Sequence, residues 1–225
     1  MRAKQALLIL GSVLLLTAPC LAGGLDYWRS GLEAYQARDW ERATDLMTKA
    51  IEAGDLDRPA LAKLHTSRGV VWRIRGRLDL ALADHNQALK LDPELAEAYC
   101  NRGNVWRKKG DYYRSMADYA KALEVRPDHA PAFHGVAWLM ATAKEAEFRN
   151  GQAAVEMAQK ALALKKNANH LDTLAAALAE AGRFEEAVEA QKEAIRRLQE
   201  EGGRFRVASY KRRLANYLAG RPWRE

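Results

Sequence analysis

The sequence is poor in the patterns that catalytic and metal-binding sites need. It has two cysteines and five histidines scattered along 225 residues. His129 and His134 flank Pro131 and so cannot share one helix face, as paired metal ligands on a helix do. No glycine-rich phosphate loop occurs in the chain, and glycine pairs alone only end helices. We therefore predict no enzyme activity, no catalytic residues, no metal and no cofactor.

Long apolar runs are also rare, and the single one lies at the start. Residues 1–4 are basic, residues 6–18 are nearly all apolar, and Cys20 and Ala22 supply small residues after them. This order of charge, apolar run and small residues is typical of a secretory signal peptide. The run is shorter than the roughly 20 residues that span a bilayer as a helix. We predict a cleaved signal over residues 1–22 and a soluble mature protein that is periplasmic or secreted.

Cys20 allows a second interpretation, because a cysteine at the end of such a segment can carry a lipid. Pro19 stands before it, where a lipoprotein signal has glycine or alanine, so we expect cleavage without lipidation. Loss of Cys20 with the signal leaves Cys100 alone, and the mature protein then has no internal disulfide. Its stability must come from packing.

The net charge of +7 suggests a nucleic-acid-binding protein only until it is divided by segment. Residues 203–225 hold seven lysines and arginines against one acid, Glu225. The body of the chain is close to neutral. We therefore predict no nucleic-acid partner, since a general basic surface is missing. The basic segment instead raises an alternative, in which residues 204–224 contact an anionic membrane surface.

A period of 34 residues is the strongest pattern in the chain. Glycines, tryptophans, alanines and prolines recur at this spacing, in the pairs Gly69/Gly103, Trp72/Trp106, Gly76/Gly110, Ala88/Ala122 and Pro93/Pro127. Small residues allow two helices to cross closely, and proline ends a helix because it cannot donate a backbone hydrogen bond. A period of this length with these residues resembles the tetratricopeptide repeat.

The resemblance implies an all-α, right-handed superhelical solenoid of about five helix-turn-helix hairpins. The offsets place the repeats at residues 24–57, 62–95, 96–129, 130–167 and 168–201, with a longer turn in the fourth repeat at residues 144–151. Residues 203–225 are interpreted as a basic capping helix and tail. Their apolar stripe, formed by Val207, Tyr210, Leu214 and Tyr217, recurs at helical spacing. A solenoid end needs such a cap because it exposes an apolar face.

The family resemblance also implies a concave groove lined by the first helix of each hairpin. It predicts a peptide-binding site at Arg73, Asn101, Asn104, Arg107, Lys108, His134 and Trp138. The arginines and the lysine have an alternative role as solvated charges near helix ends, and Trp138 has one as a packing residue. Of the Lys, Asn and Arg set with which some family members hold a terminal carboxylate, only one residue, Asn101, is present. That clamp is therefore not expected.

The remaining motif positions have structural interpretations. Trp72 and Trp106 are expected in the core. Arg68 and Arg102 stand where the motif commonly has leucine, and their aliphatic stems can pack there. We predict a non-catalytic scaffold or adaptor that binds an extended peptide or a partner helix, with acidic segments favoured, during assembly of a cell-envelope complex. The alternative is an adaptor that docks on a membrane through its basic C-terminal segment.

Overall fold

Helical hairpins follow one another along the chain. The computed structural model describes residues 23–225, so the predicted signal, residues 1–22, lies outside the described residues. Within them the structure has eleven α-helices, two short 3₁₀ helices and no strand. The α-helices are α1 Gly24–Gln36, α2 Trp40–Glu52, α3 Arg58–Ile74, α4 Leu78–Leu91, α5 Ala96–Lys109, α6 Tyr112–Val125, α7 Ala130–Thr142, α8 Gly151–Leu164, α9 Ala168–Glu180, α10 Phe184–Glu200 and α11 Val207–Leu218. The 3₁₀ helices are Ala146–Phe148 and Arg204–Arg206.

The helices pack as five antiparallel pairs, α1/α2 to α9/α10, and α11 then packs against α10. This arrangement confirms the predicted class of five hairpins with a capping helix. The first helices α3, α5, α7 and α9 also contact one another in sequence, so their exposed residues line one continuous face. No helix among residues 23–225 combines the length and the apolar character needed to cross a bilayer.

Local sequence explains where the helices start and stop. Asp111 accepts a hydrogen bond from the Arg114 backbone N–H at 3.0 Å and so caps α6 at its N-terminus. Asp39 and Asp57 cap α2 and α3 in the same way. Gly110 ends α5 with a φ of 82°, a left-handed conformation that glycine adopts without steric cost. The positions of the hairpin turns are therefore determined by residues close to them in sequence.

Tyr119 shows why the repeat needs glycine at the helix crossings. Its ring is fully buried between α5 and α7. A Cβ atom placed on Gly103 would lie 2.9 Å from that ring, and one placed on Gly135 would lie 2.5 Å from it. Both separations are well inside van der Waals contact, so the ring fits only because these two positions have no side chain.

An ion pair between a partly buried arginine and a buried aspartate recurs with the repeat. The Arg102 guanidinium donates to both oxygens of Asp118, at 2.8 and 2.7 Å, and its third nitrogen donates to Asn86 Oδ1 at 2.8 Å. Arg102 thus joins α5 to α6 of its own hairpin and to α4 of the preceding one. The second repeat has the same link, formed by Arg68, Asp84 and Thr48. These arginines contribute more than the aliphatic packing expected from the sequence.

The cap is anchored by tyrosines and one buried arginine. Tyr210 and Tyr217 are 3% and 1% exposed, while Val207 and Leu214 pack at the edges of the same apolar clusters. Arg213 lies inside the cap and donates to Asp172 on α9 at 2.8 Å. Residues 207–218 are therefore an integral part of the fold.

Candidate functional site

Four of the seven predicted groove residues meet in one cleft of about 610 Å³. This basic cleft is defined by Arg73, Asn104, Arg107, Lys108, Lys109, Gly110, Tyr112, Lys144, Glu145 and Glu225. Arg73 comes from α3 and Arg107 from α5, at positions one repeat apart. The lysines follow at the end of α5 and in the turn after α7. The cleft is therefore built by three consecutive hairpins, with Glu225 added from the C-terminal segment.

Positive charge in the basic cleft is only partly balanced. Burial lowers the pKa of Arg73, and the nearby Arg107 guanidinium lowers it further. Arg107 is paired with Glu225, and Lys109 reaches Asp79 at 2.7 Å. In the part of the chain that the structure describes, no carboxylate lies within 4 Å of the charged groups of Arg73, Lys108 or Lys144. A shielded guanidinium without a carboxylate favours an incoming anion.

Asn104 faces the same cleft with a hydrogen-bond donor. Its Oδ1 accepts from the Tyr119 hydroxyl at 2.9 Å, so this oxygen is already engaged. A free asparagine side chain can pair both the N–H and the C=O of a peptide unit, whereas this one has chiefly its amide N–H₂ left for a ligand. This donor suits a backbone carbonyl or a carboxylate.

Asn101 lies one helical turn earlier on α5, in an adjoining cleft of about 310 Å³. This apolar cleft is defined by Lys63, Thr66, Ser67, Val70, Leu95, Glu97 and Asn101. Asn101 donates to the Glu97 carbonyl at 2.9 Å within its own helix. Because the two clefts follow each other along α3 and α5, one extended chain can contact both.

His134 and Trp138 belong to a third cleft, on the side of the cap, which shares Arg107 with the basic cleft. His134 Nδ1 lies 2.7 Å from the Thr173 hydroxyl, and burial lowers the pKa of His134 to about 3. The Arg213 guanidinium lies 5.4 Å from the centre of the Trp138 ring. Trp138 therefore packs against the cap, which agrees with its alternative packing role, whereas His134 contacts Thr173 on α9.

The C-terminal residues turn back into this third cleft. Residues 221–225, here called the tail segment, place the Glu225 backbone N–H 3.1 Å from the Thr142 carbonyl. Arg224 pairs with Glu180 at 2.6 Å, and Trp223 packs on the apolar cluster around Tyr217. The Glu225 carboxylate contacts the Arg107 guanidinium. Sequence reasoning missed this arrangement and treated the segment as a basic tail.

The basic residues of 204–224 are not all exposed in the structure. Arg213 is buried against Asp172, and Arg224 is half-buried against Glu180. Lys211, Arg212 and Arg221 remain exposed. The outward basic surface is thus smaller than the composition of this segment implies.

Neither a reactive cysteine nor a cluster of metal ligands is found among the described residues. Cys100 is 2% exposed, and burial raises the pKa of its thiol to about 12, so it is not a nucleophile near neutral pH. Within residues 23–225 no three histidine, cysteine, aspartate or glutamate side chains are grouped as a metal site.

Comparison with known proteins assigns the class. Models of the tetratricopeptide repeat match residues 69–106, 96–129 and 167–201. No curated protein sequence matches the chain. The hairpin architecture and these matches define an all-helical repeat protein of the solenoid type. The chain is a tetratricopeptide repeat protein.

Solved structures with the same architecture share little sequence with it. A thermophilic repeat protein of Thermus thermophilus superposes with a TM-score of 0.71 at 17% identity, covering 87% of this chain and 99% of that chain. A tetratricopeptide repeat protein from Parabacteroides merdae gives 0.58 at 17% identity, covering 88% and 74%. The MamA protein gives 0.53 at 17% identity, covering 80% and 94%. These likenesses concern the fold alone.

Proposed function

We propose that the protein is a non-catalytic scaffold that holds an extended, acidic segment of a partner protein in the basic cleft. Arrays of this family are in general modules for protein–protein interaction. The observation that carries the proposal is the group of Arg73, Lys108 and Lys144: Glu145 and Glu225 line the same cleft, but no carboxylate of the described residues lies within 4 Å of these three charged groups. Such a group attracts acidic partners and orients them on approach.

The neighbouring clefts support a specific order of side chains in the ligand. Val70 offers apolar surface in the apolar cleft one helical turn before Arg73, and Asn101 of the same cleft lies one turn before Asn104. A segment with an apolar residue followed by acidic residues would contact both clefts in turn. A hydrogen bond between a charged group and a desolvated partner contributes about 1.5–3 kcal/mol. Two such bonds would account for more than a hundredfold in affinity.

The test is binding of a fluorescein-labelled peptide, one leucine followed by six glutamates, measured by anisotropy at several salt concentrations. The variant Arg73→Glu plus Lys108→Glu should weaken binding more than tenfold and reduce its salt dependence. The control variant Lys211→Glu plus Arg212→Glu makes the same change in net charge on the outer face of the cap. It should weaken binding less than threefold.

Circular dichroism should show equal helix content in both variants. Loss of binding in the cap variant, with binding retained in the cleft variant, would show that the peptide binds the basic C-terminal segment and not the basic cleft. Salt-sensitive binding of that segment to vesicles containing anionic lipid would then support the membrane-adaptor alternative.

We further propose that the protein acts outside the cytoplasm, in assembly of a cell-envelope complex. This proposal depends on the charge and apolar pattern of residues 1–22. Intact-mass analysis of protein from its native host should give a chain that begins at Gly23 or Gly24. A mass that includes residue 1, or acyl chains on Cys20, would contradict it.

A further inference from the structure

We infer that the tail segment, residues 221–225, is an internal ligand of the groove, which the acidic segment of a partner must displace. The displacement rests on the function proposed above. The observation behind the inference is that Arg107 and Glu225 both line the basic cleft and the cleft beside the cap, and that their charged groups contact each other. An acidic group in the basic cleft therefore competes with Glu225 for one guanidinium.

The tail segment binds as an extended peptide would. Its backbone contributes the Glu225 N–H, which donates to the Thr142 carbonyl at 3.1 Å. Trp223 covers the apolar cluster next to Tyr217, with the Arg213 guanidinium 5.8 Å from its ring centre. Every side chain from 223 to 225 thus has a counterpart on the array.

These contacts also describe which residues this half of the groove accepts. An aromatic residue lies on the apolar cluster, the next residue is a cation paired with Glu180, and the third is an acid paired with Arg107. A partner segment with the order aromatic, basic, acidic matches the same three subsites. Such a segment would replace the tail segment entirely, whereas a purely acidic one would displace only Glu225.

The contacts that hold the tail segment in the groove are weak enough for it to dissociate. The side chains of Arg224 and Glu225 are 35% and 39% exposed, and ion pairs with this much solvent contact are weak and salt-dependent. Because the segment is tethered, it nevertheless competes at an effective concentration of about millimolar. A groove that is open one-tenth of the time binds a partner about tenfold more weakly than a groove that is always open.

The test uses a fluorescein-labelled peptide with the sequence of residues 220–225, acetylated and amidated so that it carries no terminal charges. The full-length variant Arg224→Ala plus Glu225→Gln, which keeps Trp223 and the cap, should bind this peptide about tenfold more tightly than the wild type. Glu145→Gln is the charge control, because Glu145 faces the same basic cleft from outside the tail segment. It should raise affinity twofold at most.

A peptide with glutamine in place of its glutamate should bind the tail variant about threefold more weakly. Equal affinity of wild type and tail variant for the labelled peptide would overturn the inference, as would an equal gain in Glu145→Gln. Insensitivity of leucine–hexaglutamate binding to Arg73→Glu plus Lys108→Glu would instead overturn the proposed function. The inference and the proposed function are therefore tested with two different peptides. A melting temperature within a few degrees of wild type would show that the tail variant is folded.

Discussion

Replacement of His85 by phenylalanine should remove part of the protein's sensitivity to acid. His85 on α4 is fully buried beneath Gly69, and neither ring nitrogen has a hydrogen-bond partner among the described residues. Burial lowers the pKa of His85 to about 3, which the nearby Asp84 opposes and the arginines Arg73 and Arg102 reinforce. The equivalent position in the next repeat is Tyr119, so an uncharged six-membered ring fits this environment.

The sign of the effect follows from the lowered pKa. The folded state keeps His85 neutral, whereas the unfolded chain binds a proton below pH 6.5. The ionisation of His85 therefore costs no stability above pH 6.5, and below this pH it lowers the free energy of unfolding progressively toward pH 3. Each pH unit costs about 1.4 kcal/mol, so His85 costs about 3 kcal/mol at pH 4.5. His134, with a pKa also lowered to about 3, adds a similar cost. Together they approach the total stability of about 5–15 kcal/mol that folded domains possess.

Urea denaturation between pH 8 and pH 4.5 measures this dependence. The free energy of unfolding of the wild type should fall by up to about 3 kcal/mol per pH unit below pH 6, and that of His85→Phe by about half as much. Tyr119→Phe is the control, because burial raises the pKa of Tyr119 above its ordinary value and nothing there titrates in this range. Parallel curves for the wild type and His85→Phe would refute the reasoning.

Two further predictions concern stability. Asp118→Ala should lower the free energy of unfolding by about 3 kcal/mol, because it leaves the Arg102 guanidinium without its bidentate partner, and a loss below 1 kcal/mol in urea denaturation would contradict this. Tyr217→Ala should lower the free energy of unfolding by about 3–5 kcal/mol, because it opens a cavity under the cap. Tyr217→Phe should leave it nearly unchanged, because the buried hydroxyl has no partner among the described residues. Thermal melting of both variants distinguishes the two effects.

The hairpin architecture could be predicted because its determinants are local and recur at a fixed spacing. Gly103 and Gly110 occupy positions at which only glycine suits the packing or the turn. The ion pairs were also within reach of the sequence, since Asp84 and Asp118 recur at the same period as Arg68 and Arg102. The family motif commonly has leucine at the arginine positions, and it therefore indicates packing there and no ion pair.

The candidate site was less predictable because its boundaries depend on distant parts of the chain. Arg73 and Arg107 meet as the period implies, but Glu225 reaches Arg107 across 118 residues of sequence. No local pattern indicates such a contact. The Arg213 guanidinium packs over the Trp138 ring. Composition alone places Arg213 among the exposed basic residues of the C-terminal segment, whereas it is buried. Side-chain partners that lie far apart in sequence therefore decided which groove positions stay open.

The recurring arginine link restricts how this array can be rebuilt or can have grown. Arg102 needs an acceptor from the hairpin before it as well as one from its own, and Arg68 has the same requirement. Duplication of a whole 34-residue unit in the interior carries donor and acceptors together and preserves every link. Moving that unit to the front, or grafting it behind a hairpin that lacks the acceptor, leaves one nitrogen of the guanidinium without its hydrogen-bond partner at the junction. Neighbouring hairpins are therefore matched to one another by polarity as well as by shape, and the repeats are not freely interchangeable modules.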